Sequence, residues 1–180
     1  MQGRKVRVGI IGAGDFAEVC HIPGINAHPL GEVVALCARN RERVTALAAR
    51  CGVPDIHTDY QGLLAREDID AVTIAGPDAL HGPATFAALA AGKHVFCEKP
   101  LAMDAAEAER MVEACAQSGR VGMVSYTFRY GQMKFDECAR FDPCCPFTPD
   151  PTGGQHHWAH EQGHLIVGQG MPRSASACQG

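Results

Sequence analysis

Short apolar runs alternate with helical patterns along the first 125 residues. Each apolar run predicts a strand. The runs lie at residues 6–11, 33–37, 71–75, 94–97 and 121–124, with a weaker one around 56–58. Because the runs are short and largely apolar, they are typical of parallel strands that are covered on both faces.

Helical patterns fill the intervals between these strands. Residues 41–51, 83–91 and 104–118 carry the clearest patterns, and each is followed by a glycine. The third begins at Asp104 as N-cap, with Glu107 three residues later, which is close to a capping box. Repeated strand–helix units predict an α/β fold with a doubly wound parallel sheet over residues 1–125.

The character of the chain changes after residue 130. The aliphatic core formers of residues 131–180 are three adjacent residues, Leu165 to Val167, among many prolines, glycines, cysteines and histidines. Such a segment buries too little apolar surface to offset its ordering entropy, so an irregular, poorly ordered tail is expected. The abrupt change also fits a tail that a shifted reading frame or a truncation has introduced.

A glycine turn follows the first predicted strand and leads into a helix. Gly12, Gly14 and Ala17 match G-x-G-x-x-[GA], with Asp15 and Phe16 inside the motif. Gly12 allows the tight turn, Gly14 lets the backbone approach a pyrophosphate, and Ala17 keeps helix and strand close. Glycines also serve other tight turns, but this position inside a βαβ unit favours a dinucleotide-binding Rossmann domain.

The end of the second predicted strand indicates which dinucleotide is bound. An acidic residue about 20 positions past the glycines usually holds the ribose diol of NAD. Here Ala38 stands near that position, followed by Arg39 and Arg41. Guanidinium groups suit a 2′-phosphate, so NADP is predicted, with NAD as the alternative. The arginines could instead be the solvated start of a helix.

Composition excludes several classes of partner. The formal net charge of −4 gives no basic stripe for nucleic acid or for a membrane surface, and no apolar run is long enough to span a bilayer. The nine cysteines form no CxxC pair, which favours reduced thiols in the cytoplasm.

Three segments together resemble the Gfo/Idh/MocA oxidoreductases, the family of glucose–fructose oxidoreductase and inositol dehydrogenase. They are VGIIGAGDFAEVCHIPGINAHP, AGPDALHGPATFAALAAGKHVFCEKPLAMD and VGMVSYTFRY, and they span roughly residues 5–130. The resemblance implies hydride transfer between a nicotinamide ring and a hydroxyl-bearing carbon of a sugar, a cyclitol or a similar small molecule.

The resemblance also implies roles for the Glu-Lys-Pro segment. Lys99 would lie beside the nicotinamide and the substrate, where it could donate or share a proton with the substrate oxygen. Glu98 would orient this region and share in cofactor contact with Lys99, and Pro100 would fix the backbone.

The loop before these residues matches the family as well. Pro77 would lie along the cofactor, and His81 would support catalysis, with a structural role in capping the next helix as the alternative. Gly76 and Asp78 depart from the Thr and Asn that the family often has there.

The family also has a second α/β domain that forms the substrate pocket and usually the oligomer contact. It supplies an Asp-x-x-x-His pair, which does not occur after Tyr130. Residues 126–180 are therefore expected to be the start of a truncated substrate domain that grades into the tail. A homo-oligomer is expected of a full-length form. The alternative function is a dinucleotide-binding module without catalysis, or an inactive fragment.

One motif in the tail suggests metal chemistry. His160 to His164 reads H-E-x-x-H, the pattern of a zinc protease helix. Gly163 weakens a helix at that point, and no later His, Asp or Glu follows as a third ligand. Chance in a histidine-rich segment is the preferred interpretation, so no metal site is predicted.

Overall fold

The computed structural model describes residues 4–126, which form a six-stranded parallel sheet with helices on both faces. The strand order is β3-β2-β1-β4-β5-β6. The elements in chain order are β1 (Val6–Ile11), a π-helical segment (Ala17–His21), α1 (Ile22–Ala27), β2 (Gly31–Cys37), α2 (Arg41–Cys51), β3 (Asp55–His57), α3 (Tyr60–Leu64), β4 (Ala71–Ile74), α4 (Asp78–Ala90), β5 (His94–Glu98), α5 (Ala105–Ser118) and β6 (Gly122–Ser125). This order is that of a doubly wound Rossmann sheet, and it confirms the predicted fold class.

Each face of the sheet has its own apolar core. Ile10 and Ile11 are neighbours in β1, but their side chains belong to different cores and both are fully buried. Successive strand residues point to opposite faces, so apolar residues in a row are what two covered faces require. The core that contains Ile10 includes residues of α1 and α2, and the core that contains Ile11 includes residues of α3, α4 and α5.

Local capping explains where two of the helices begin. The Asn40 side chain accepts a hydrogen bond from the Arg43 amide at the start of α2. The Asp104 carboxylate accepts one from the Glu107 amide, and the Glu107 carboxylate reaches back to the Met103 amide. The predicted near-capping box is therefore confirmed, and orphan donors of both helix starts are satisfied.

Two helical predictions were incomplete. Helix α4 begins at Asp78, so Pro83 lies inside it and is not its start. Proline removes one backbone donor, and tertiary packing overrides that cost here, because the flanking residues Gly82 and Ala84 are buried. Helix α3 was not predicted, since it is only five residues long and contains Gly62.

Within residues 4–126 no helix is long and apolar enough to cross a membrane. The predictions for the tail and for the HEQGH motif concern residues outside the described part of the chain.

Candidate cofactor and active site

A cleft of about 880 Å³ opens at the carboxyl ends of β1, β2, β3 and β4. Strand order reverses between β1 and β4, and such a switch point is where open α/β sheets bind ligands. The cleft is lined by Ile11, Gly12, Ala13, Gly14, Cys37, Ala38, Arg39, Asn40, Arg43, Thr58, Asp59, Tyr60, Ala75, Gly76, Pro77, Ala79 and Leu80.

The glycine turn connects the carboxyl ends of β1, β2 and β4. The amides of Gly12 and Ala13 both donate to the Cys37 carbonyl at the end of β2, at 2.9 and 3.2 Å. Gly12 has φ +93°, and its Cα lies against the backbone of Gly76 at the end of β4. A side chain at Gly12 would be strained and would overlap that backbone, so this glycine is required by the fold itself.

Gly14 differs from Gly12. A Cβ at Gly14 would meet no heavy atom within 4 Å, because the residue faces open space in the cleft wall. Ala17 is buried, whereas Asp15 and Phe16 are exposed. The first amides of a helix have no partner within it, so this turn can receive an anionic group.

The cleft wall beyond β2 is cationic. Arg39 is exposed and lines the cleft with Asn40 and Arg43. The Arg43 guanidinium pairs with the Asp15 carboxylate, and both side chains are largely exposed. Sequence reasoning pointed to Arg41, which does not line the cleft, and missed Arg43. The signal for Arg43 was its position three residues after the N-cap Asn40, on the first turn of α2.

The loop after β4 forms the opposite wall. Gly76 and Pro77 line the cleft, and His81 on α4 is fully buried behind them. The His81 ring connects two loops, with Nε2 3.0 Å from the Gly76 carbonyl oxygen and Nδ1 2.6 Å from that of Pro100. A neutral imidazole donates to one of these carbonyls, whereas an imidazolium donates to both. His81 thus joins the cleft wall to the Glu-Lys-Pro segment without facing solvent.

The Glu-Lys-Pro segment comes at the carboxyl end of β5. Glu98 is buried, Lys99 is exposed, and the Lys99–Pro100 peptide bond is cis. The Glu98 Oε2 atom accepts a hydrogen bond from the Lys99 amide at 3.2 Å. The carboxylate is therefore held inside while the lysine side chain extends outward.

His21, at the end of the π-helical segment, was missed by sequence reasoning. Its Nε2 lies 3.0 Å from Glu98 Oε1, and its ring packs edge-on against Phe16 and Phe96. Burial lowers the pKa of His21, and the Glu98 carboxylate opposes that shift. No sequence signal links the two residues, because they are far apart in the chain.

The chain matches the sequence model of an oxidoreductase family with an NAD-binding Rossmann fold, Gfo/Idh/MocA, over residues 6–126. The match spans more than half of the chain, which therefore belongs to this family. The resemblance to the family is confirmed, and so, at the level of the family, is the predicted nicotinamide dinucleotide.

Individual relatives give the same picture. The chain is 38% identical over 123 residues to a dTDP-3,4-didehydro-2,6-dideoxy-alpha-D-glucose 3-reductase of Actinomadura kijaniata, covering 68% of this chain and 37% of the relative. It is 34% identical over 130 residues to the D-glucoside 3-dehydrogenase of Escherichia coli, covering 72% of this chain and 36% of the relative.

A solved structure supports the fold. The 3-ketoreductase KijD10 of Actinomadura kijaniata, in complex with NADP and TDP-benzene, superimposes with a TM-score of 0.69 at 35% identity. The alignment covers 76% of this chain and 42% of that chain. The chain thus spans about two fifths of the length of the relatives that it matches.

Proposed function

We propose that this chain binds NADP and forms the cofactor-binding part of an oxidoreductase that acts on a sugar, a cyclitol or a related small molecule. The observation that carries the proposal is the cleft itself. It combines an open glycine at the helix start, Gly14, with a cationic wall formed by Arg39 and Arg43. A ligand with a neutral ribose diol would bring no counter-charge to the Arg39 guanidinium, whereas a 2′-phosphate would bring one.

We expect the glycine turn and the arginines beyond β2 to hold an extended dinucleotide. Gly12, Gly14, Asp15, Phe16 and Ala17 would form the pyrophosphate turn, which Gly12 shapes and along which Gly14 leaves room. Arg39 would hold the 2′-phosphate with bidentate geometry. Arg43 would add positive charge from the first turn of α2. In this proposal the Asp15 carboxylate keeps the Arg43 guanidinium on the cleft side of α2.

The reacting groups would lie beside the Glu-Lys-Pro segment, whose residues do not line the cleft. Pro77 would lie along the cofactor, and the bound nicotinamide would supply hydride exchange with the substrate carbon. Lys99 would hold a proton at Nζ and share it with the substrate oxygen. Glu98 and His81 would act as positioning residues, because both are buried and hydrogen bonded to the backbone around Lys99. Glu98 and Lys99 would also contact the cofactor.

The substrate class is inferred from the relatives, which include a dideoxyglucose 3-reductase and a glucoside 3-dehydrogenase. Both names describe exchange between an alcohol and a ketone on a sugar ring. A secondary alcohol is accordingly the proposed reacting group.

The experiment is a calorimetric titration of wild type, Arg39→Ala and Arg41→Ala with NADPH and NADH. We expect the wild type to prefer NADPH, and Arg39→Ala to lose about tenfold in NADPH affinity with little change for NADH, as for a lost charge-assisted contact. Arg41→Ala is the matched control and should bind both like wild type. Equal loss for both dinucleotides in Arg39→Ala would contradict a 2′-phosphate contact.

A further inference from the structure

His21 stands in an unusual setting for a histidine on the first helix after a glycine turn. The π-helical segment Ala17–His21 ends at this residue, and wide helical turns of this kind are frequent at functional sites. The ring is more than nine-tenths buried and is enclosed by Phe16 and Phe96, which it meets edge-on at centroid distances of 5.2 and 5.7 Å. Its orientation is thus fixed by packing from two elements.

The Glu98 carboxylate faces this ring. His21 Nε2 and Glu98 Oε1 lie 3.0 Å apart, yet neither atom has a hydrogen bond of regular geometry within residues 4–126. Burying two polar atoms without other partners costs free energy of folding unless the two atoms interact with each other, and these two lie at hydrogen-bond distance. Burial lowers the pKa of His21, and the charge of the Glu98 carboxylate acts in the opposite direction.

The second carboxylate oxygen links this pair to Lys99. Glu98 Oε2 accepts the Lys99 amide hydrogen, so one carboxylate contacts His21 on one side and the backbone of Lys99 on the other. Lys99 is the first exposed residue after the buried end of β5. A rotation of the Glu98 side chain would therefore alter the direction in which the lysine leaves the strand.

We propose that His21 is a positioning residue: it holds the Glu98 carboxylate and thereby sets the direction of the Lys99 side chain. This inference rests on the proposed function only in giving Lys99 its purpose. The arrangement connects the π-helical segment that follows the glycine turn to the lysine that follows β5.

The test is competitive labelling of lysine amines with acetic anhydride, read by peptide mass spectrometry. Lys5 is exposed and serves as the internal reference, and Lys93 is buried and reports on folding. The Lys99/Lys5 rate ratio should change by about threefold or more in His21→Leu, as for coupled residues in contact. His21→Gln retains an N–H donor and should keep the wild-type ratio, as should Cys20→Ala, an exposed neighbour on the same segment.

Glu98→Gln provides a second arm that does not depend on the folding of His21→Leu. It should change the ratio in the same way, and the double variant should add little to either single variant. An unchanged ratio in folded His21→Leu or in Glu98→Gln would overturn the inference, because a merely structural histidine would alter thermal stability alone. The labelling needs no cofactor, so failure of NADPH to bind would contradict the proposed function and leave this result interpretable.

Discussion

Gly12 and Gly76 touch through their backbones, and a methyl group on Gly12 would overlap the amide nitrogen of Gly76. The contact joins the ends of β1 and β4, the two strands that flank the switch point of the sheet. The glycine turn is therefore part of the structural framework as well as of the cleft.

Gly12→Ala is expected to destabilise the fold by roughly 2–4 kcal/mol, because it adds left-handed backbone strain to an overlap with main-chain atoms. Urea unfolding followed by circular dichroism measures this loss. Gly24→Ala is the matched control: Gly24 is a helical glycine with open space around its Cα, and alanine there should be neutral or slightly stabilising. A wild-type unfolding midpoint for Gly12→Ala would contradict the close approach.

His21 should make stability depend on pH near neutrality. Burial lowers its pKa in the folded chain below the ordinary value of about 6.5, so the unfolded chain binds more protons as the pH falls below that value. Stability is thus fully present above about pH 6.5 and decreases toward the folded pKa, below which this contribution is constant. Thermal unfolding from pH 5 to 8 should show this slope, and His21→Gln should flatten it. An identical slope in that variant would rule out His21 as its source.

The ion pairs at the opposite end of the sheet act in a lower pH range. The guanidinium groups of Arg66 and Arg7 hold the pKa of the Asp68 carboxyl well below its usual range. Their stabilisation is present above about pH 4 and is lost as the pH falls through the folded pKa. Asp68→Asn should lower the melting temperature at pH 7. The difference in melting temperature between wild type and this variant should become smaller below pH 4. Glu67→Gln, at an exposed neighbouring position, should leave the melting temperature unchanged.

Buried thiols in the sheet should be unreactive in the folded chain. Burial raises the pKa of Cys37 to about 11 and that of Cys97 to about 12, whereas Cys20 is exposed. Because the thiolate is the nucleophile, iodoacetamide at pH 8 should label Cys20 well before the other two. Peptide mapping measures the rates, and labelling in urea, where all three should react alike, is the control. Fast labelling of Cys97 under native conditions would be inconsistent with the described core.

Most of the fold could be predicted from local signals. The strand at residues 6–11 is an apolar run followed by two glycines, and α2 carries its own cap, Asn40, and its own stop, Gly52. The start of α4 could not be predicted from local signals, because Pro83 resembles a first helical residue. The structure shows that the helix begins five residues earlier, at Asp78, and that His81 and Gly82 are buried within it.

The residues of the candidate site likewise include some that local signals predict and others that only the tertiary structure shows. Gly12, Gly14, Arg39 and Pro77 were predicted from a motif or a resemblance, and all four line one cleft. The pairing of His21 with Glu98 could not be predicted, because it depends on how the π-helical segment packs against β5. Contacts between elements distant in sequence leave no periodic trace in a single chain.

A dinucleotide site at the glycine turn is tested most directly by calorimetric titration of wild type and Gly14→Ala with NADPH. A Cβ at this position meets no protein atom, so the variant should keep the wild-type melting temperature. It should bind NADPH about tenfold or more weakly, because the methyl group would enter the space left for the pyrophosphate. Saturable wild-type binding together with this loss is the predicted result. Equal affinity of the two proteins, or no binding by the folded wild type, would contradict a dinucleotide site at the glycine turn.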